Sequence, residues 1–287
     1  MKKIKLNIFL LLITIVLASC NTSTTDNTNT IYKACYGNSN SSNIINLATG
    51  SPGELGLLKE LAENYQEINN VKINWQKAGS GKSLQLLNEK KVDIVMVHAP
   101  KAEEDAINEG WAKRRDLIGS NTFIIVGPKA DPAKIKDAED VIDAFRKIAN
   151  TKALFLSRGD NSGTNKKELS IWEQATIQPE GEWYVITNDF MMATLKKANE
   201  INGYFMVDNS TWFVGMNNLN NLEVLFEGDP KLINIYHALI RSDISEDSHI
   251  YKFAKYLVSK KGQEIIKSYG IKDYGMPLYK NATNDLP

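Results

Sequence analysis

Cysteine is nearly absent. Among 287 residues only Cys20 and Cys35 carry a thiol, so no disulfide framework holds the chain and stability must come from a buried apolar core. A chain of this length can build one. Histidine is almost as scarce. His98, His237 and His249 are far apart and offer no metal-ligand spacing. Net charge is missing as well, with 34 basic residues against 34 acidic ones. That balance argues against nucleic acid as a partner, because phosphate backbones select basic surfaces. The leading apolar run, 8–17, is too short to span a bilayer.

What is present begins at the N-terminus. Lys2, Lys3 and Lys5 precede that apolar run, and Leu17-Ala18-Ser19-Cys20 follows it. This order is that of a secretory signal peptide (1–19) ending in a lipobox, with Cys20 as the residue that takes the lipid. Loss of the three lysines leaves 31 basic and 34 acidic residues in the mature chain. Residues 20–43 are rich in Asn, Ser and Thr and read as a flexible tether between lipid and domain.

From residue 44 onward, apolar runs alternate with amphipathic stretches. Strands are expected at 44–48, 71–75, 92–97, 121–126, 153–156, 183–186, 204–207 and 233–240. Helices are expected at 53–68, 83–88, 102–109, 141–149, 166–175, 191–199, 248–259 and 262–268. Such alternation implies parallel sheets flanked by helices. Two α/β units joined by two strand crossings make two lobes with a cleft between them. Residues 44–125 and 233–287 form lobe 1, and 126–232 form lobe 2.

Ligands of open α/β sheets sit beyond the carboxyl ends of the strands. Three small, hydroxyl-bearing turns are expected there: Thr49-Gly50-Ser51, Gly79-Ser80-Gly81, and Ser157-Arg158-Gly159-Asp160-Asn161-Ser162-Gly163-Thr164. Helix N-termini offer unpaired amides and a partial positive charge, and Arg158 adds a planar cationic fork. The candidate ligand-binding residues are therefore Thr49, Ser51, Ser80, Arg158, Ser162, Gly163 and Thr164. Gly81-Lys82-Ser83 is no phosphate-binding loop, because Gln76 stands where the pattern requires glycine. A hydrolase using Ser162 is the competing reading, with His98 as the base that could face the cleft. The aromatics Trp172, Trp183 and Trp212 read as packing residues.

The segments Val126-Gly127-Pro128-Lys129-Ala130-Asp131-Pro132-Ala133, Ser157 through Trp172, and Trp183-Tyr184, with 93–100 and Met192-Ala193-Thr194-Leu195, resemble the tungstate-binding proteins of ABC transporters. The resemblance implies an α/β, two-lobed periplasmic type II solute-binding fold with a two-strand hinge. It implies capture of a tetrahedral oxyanion, tungstate or molybdate, by hydroxyls, amides and an arginine, followed by delivery to an ABC permease. The protein would then be no enzyme and would have no cofactor. It would be a monomer, held outside the cytoplasm at the membrane by the lipid on Cys20. Departures from the family bear on the ligand. Its run of three threonines and a serine is Thr49-Gly50-Ser51-Pro52 here, its Gly-Thr-Gly is Gly79-Ser80-Gly81, and its Asp-Arg-Gly-Thr is Asp208-Asn209-Ser210-Thr211. With that arginine gone, Arg158 is expected to be the main positive charge at the site, and a different anion or small organic ligand is the alternative.

The lipobox has a direct test. Cys20→Ala should move the protein from the membrane fraction to the soluble fraction, and a variant that still sediments with membranes would refute the assignment.

Overall fold

The computed structural model describes residues 32–282. The expected signal peptide, Cys20 and the tether up to residue 31 lie outside the described residues. The first half of the chain runs β1 (Ala34–Gly37), β2 (Ile44–Thr49), α1 (Ser51–Glu54), α2 (Leu57–Gln66), β3 (Lys72–Lys77), α3 (Ser80–Asn88), β4 (Ile94–Val97), α4 (Pro100–Asn108) and β5 (Ala112–Pro128). There follow α5 (Val141–Thr151), β6 (Phe155–Ser157), α6 (Gly163–Gln174), β7 (Tyr184–Ile186), α7 (Met191–Ile201), β8 (Tyr204–Asp208), α8 (Asn209–Gly215) and β9 (Leu222–Phe226). The return comprises β10 (Ile233–Arg241), α9 (His249–Leu257), α10 (Lys260–Ser268), α11 (Ile271–Tyr274) and β11 (Lys280–Asn281).

Two parallel cores result. β2 lies parallel between β3 and β4, and β6 lies parallel between β7 and β8. Strands of this kind are covered on both faces, which is why all four residues of β4, Ile94-Val95-Met96-Val97, are buried. Helices cover the sheets with single apolar faces: α5 buries Val141, Ala144, Phe145 and Ile148, the spacing of one helical stripe. One core gathers residues from 45 to 118 and from 236 to 279, a second gathers residues from 123 to 232, and a smaller third gathers residues from 48 to 112 with Leu239. Trp172 belongs to the second, its ring centroid 4.4 Å from that of Phe145.

β5 joins the two sheets. Up to Thr122 it pairs antiparallel with β10, and from Phe123 it pairs with β8 and β9. The strand therefore leaves one lobe and enters the other without interruption, and β10 brings the chain back beside it.

Four local expectations need correction. Residues 34–37, assigned to the tether, form β1 against β3, because Ala34 and Tyr36 pack on the lobe 1 core and the Tyr36 ring stacks on Trp75 of β3. The strand expected at 121–126 starts at Ala112, since its charged residues are paired: Arg114 Nε lies 2.6 Å from Asp116 and Arg115 Nε 3.0 Å from Glu103. β9 was not expected at all. The helix expected at 53–68 is two helices, broken at Gly56.

At that break Gly56 has φ of +93°, and a Cβ there would stand 2.5 Å from Tyr269 Oη. The same hydroxyl donates to Leu55 O. Gly110 also has positive φ, +78°, but nothing within 4 Å of a Cβ. Gly110→Ala should cost only the backbone penalty of about 1–2 kcal/mol. Gly56→Ala should cost about 1 kcal/mol more through the displaced tyrosine. Thermal melting of the two variants checks this, and equal losses would show that the contact is immaterial.

Candidate functional site

The turn before α6 is built by its own side chains. Gly159 and Asn161 adopt left-handed conformations, with φ of 63° and 57°. Ser162 is the N-cap, its Oγ accepting from Asn165 N at 3.3 Å. Asn165 Oδ1 accepts from Asn161 N at 3.2 Å, and Asp160 Oδ1 accepts from Ser162 N at 3.2 Å. Beneath the turn lies Glu168, buried to 2 % exposure. It receives Ser157 Oγ at 2.6 Å, Tyr184 Oη at 2.6 Å and Trp172 Nε1 at 3.0 Å. Burial raises its pKa against the pull of those donors. Gly163 and Thr164 amides, the first of the helix, have no acceptor among the described residues.

The three turns meet. A Cβ on Gly50 would lie 3.3 Å from Ala78 O, one on Gly79 3.0 Å from Ser162 Cβ, and one on Gly81 2.4 Å from Asn161 O. Lobe 1 thus approaches lobe 2 at Gly79 and Gly81, and at Gly81 the distance to the Asn161 carbonyl is one that only glycine permits. Ser80 begins α3, and its Oγ accepts from His98 N at 3.1 Å, leaving its proton to donate. Thr164, 2 % exposed, has a buried Oγ1 with no hydrogen-bond partner. Ser51 is buried as the first residue of α1. Thr49 is placed differently: its Oγ1 donates to Met96 O at 2.8 Å, so that proton is already engaged.

Arg158, expected to be the main positive charge at the site, is ion-paired within its own turn. Only 4 % exposed, it donates from Nε to Asp189 O at 3.1 Å, and a terminal nitrogen lies 2.5 Å from Asp160 Oδ2. A second cation, Lys77 of lobe 1, was missed. Its Nζ pairs with Glu54 at 2.8 Å and sits 4.0 Å from the centroid of Phe190, a lobe 2 ring that also lies 5.8 Å from the Arg158 guanidinium. Lys77 carries no motif; only its place at the end of β3, before the Gly79 turn, could have singled it out. Asn209, standing for the family's arginine, accepts from Thr122 N at 3.4 Å.

His98 faces Gly163, where a Cβ would fall 2.6 Å from its Nδ1. That nitrogen lies 2.8 Å from Asn234 Oδ1. The residue makes no hydrogen bond to Ser162, whose Oγ serves as the helix cap, so the nucleophile and base of a hydrolase are not assembled. Burial, and then the nearby Arg158 charge, push the His98 pKa down from 6.5 to about 4. The unfolded chain therefore binds this proton more readily between those values. Stability gained by keeping the ring neutral is whole above pH 6.5 and is lost as pH falls toward 4. His98→Asn should flatten the fall in Tm across that interval; carboxylates titrating in the same range are common to both proteins and cancel in the difference. Parallel Tm profiles would show that His98 is not held neutral.

Residues 22–261 match the PBP superfamily domain. The chain is 34 % identical over 242 residues to the tungstate-binding protein TupA of Peptoclostridium acidaminophilum, covering 82 % of this chain and 84 % of that one. A crystal structure of the tungstate ABC transporter from Geobacter sulfurreducens superposes with a TM-score of 0.70 at 32 % identity, covering 80 % of this chain and all of that one. The tungstate-binding protein TupA from Desulfovibrio alaskensis G20 gives 0.68 at 33 % identity, covering 85 % of this chain and all of that one. With this fold, these turns and these relatives, the chain belongs to the tungstate-binding proteins of ABC transporters, within the PBP superfamily and its two-lobed type II architecture.

Proposed function

We propose that this protein captures tungstate, or the similar tetrahedral anion molybdate, between its lobes outside the cytoplasm and passes it to an ABC permease, tethered to the membrane by lipid on Cys20. The observation that carries the reading is the buried, unpartnered hydroxyl of Thr164 at a helix start where three turns converge. An orphaned polar group costs stability unless something pairs with it. A tetrahedral anion would pair with it, and with the amides of Gly163 and Thr164, the Ser80 hydroxyl and the start of α1. The relatives named as tungstate-binding proteins point to the same ligand. Thr49 supports the turn through Met96 rather than touching the anion.

Thr164→Val separates binding from folding, because valine keeps the shape and removes only the hydroxyl. Ligand-free Tm should hold or rise, since the buried orphan is gone, while tungstate affinity in calorimetric titration should fall about tenfold, the effect of roughly 1.4 kcal/mol. Ser162→Ala should instead lower the ligand-free Tm by loss of its cap, worth about 1 kcal/mol. If Thr164→Val binds tungstate, molybdate, sulfate and phosphate as the wild type does, the anion is not held at this turn.

A further inference from the structure

A cavity of about 650 Å³ opens beside the turn cluster, between α4 of lobe 1 and α6 of lobe 2. Of the seven residues expected to hold the oxyanion, only Gly163 reaches its wall. The space therefore adjoins the crevice where the three turns meet and shares the Gly163 wall with it. Its floor is the pair of crossing strands, which present Phe123, Ile233 and Ile235. Lys166 and Lys167 enter it from the first turns of α6. Both are half-buried, and neither has an ion-pair or side-chain hydrogen-bond partner among the described residues. Of the other charges on the wall, Lys101 is paired with Asp105 at 3.6 Å, and Glu173 is exposed. Burial lowers the Lys167 pKa, opposed by Asp229. Both oxygens of Asp229, however, accept backbone amides, those of Val141 and Lys231. Two cations partly withdrawn from water and lacking a partner carry a desolvation cost that an anion would relieve. The volume is in the range of small-molecule sites, and an apolar floor below a cationic rim suits an amphiphilic anion.

We propose that this cavity is a second binding site, for a small organic carboxylate whose apolar body lies on Phe123, Ile233 and Ile235 and whose carboxylate meets Lys166 and Lys167. Both lobes and the crossing strands line it, so its occupant touches all three parts of the molecule.

The test is calorimetric titration of the mature chain with octanoate and benzoate, with octanol as the uncharged counterpart. Saturable binding of one carboxylate per chain is expected, with octanol at least tenfold weaker. Lys167→Met keeps the length of the stem and should weaken carboxylate binding at least tenfold, equal to about 1.4 kcal/mol, while ligand-free Tm holds or rises and tungstate affinity is unchanged. Tungstate at saturation should not displace octanoate. No saturable binding of either carboxylate, equal binding of octanol, an unaltered Lys167→Met, or displacement by tungstate would each overturn the inference. The first three of these results do not bear on whether the turn cluster holds tungstate.

Discussion

The contact that the rest of the molecule depends on is the approach of Gly79 and Gly81 to Ser162 and to the main chain of Asn161 across the two lobes. A side chain at Gly81 would hold the turns apart, since its Cβ would stand 2.4 Å from a carbonyl oxygen. Close approach matters because the available donors are short. Amides and serine or threonine hydroxyls reach an anion only when main chain surrounds it. The rigid parts of the fold serve this approach. Glu168 ties Ser157, Tyr184 and Trp172 together beneath the α6 turn, and Asn165 bridges that carboxylate to the loop above. Fixing the turn from below leaves its outward amides unpaired, which is what binding requires.

Electrostatics at the site is arranged in pairs. Arg158 is matched by Asp160 and Lys77 by Glu54, and buried Asp208 feels both Arg158 and Glu54. Two unit charges 4 Å apart interact by about 4 kcal/mol at an effective dielectric constant near 20. A cation whose partner is 2.5 Å away therefore offers an incoming anion little net field. What remains is the geometry of neutral donors, each worth about 1 kcal/mol net. Several such donors acting together give discrimination by shape and size, whereas a bare arginine would attract any anion.

The alternation of strands and helices was legible because its causes are local: apolar strands, amphipathic helices, and a Ser162 cap followed by glycine. The α6 turn and its candidate donors were legible for the same reason. Features that depended on distant partners were not. The break at Gly56 is set by Tyr269, which bonds Leu55 across 214 residues of sequence. The charged half of β5 looks unlike a strand until Glu103 of α4 and Asp116 are seen to neutralise its arginines. β1 is hidden in an Asn- and Ser-rich stretch and owes its existence to β3. Lys77 and Phe190 meet across the cleft with nothing in either local sequence to announce it. Thr49 has the right residue type at the right turn, but a strand neighbour, Met96, takes its hydroxyl proton.

The hydrogen bonds across the crossing strands fix one more property of the site. Asp208 accepts from Thr211 N at 2.9 Å and from Thr211 Oγ1 at 2.8 Å, so it acts as an acceptor although burial raises its pKa. Asn121 must then turn its amide nitrogen toward Asp208 and Ser210, at 3.3 and 2.8 Å, and its oxygen toward Asn234. Asn234 accordingly donates to that oxygen at 2.7 Å and presents its own oxygen to His98 at 2.8 Å. The direction of each bond follows from the one before it. His98 therefore carries its hydrogen on Nδ1 and leaves Nε2 bare, in agreement with the neutral ring that burial and Arg158 impose. Polar groups this deeply buried tolerate no slip in pairing, because a shifted register would leave amides unsatisfied in β5 or β10. The chain that sets the histidine's tautomer in lobe 1 thus also locks the two strands connecting it to lobe 2.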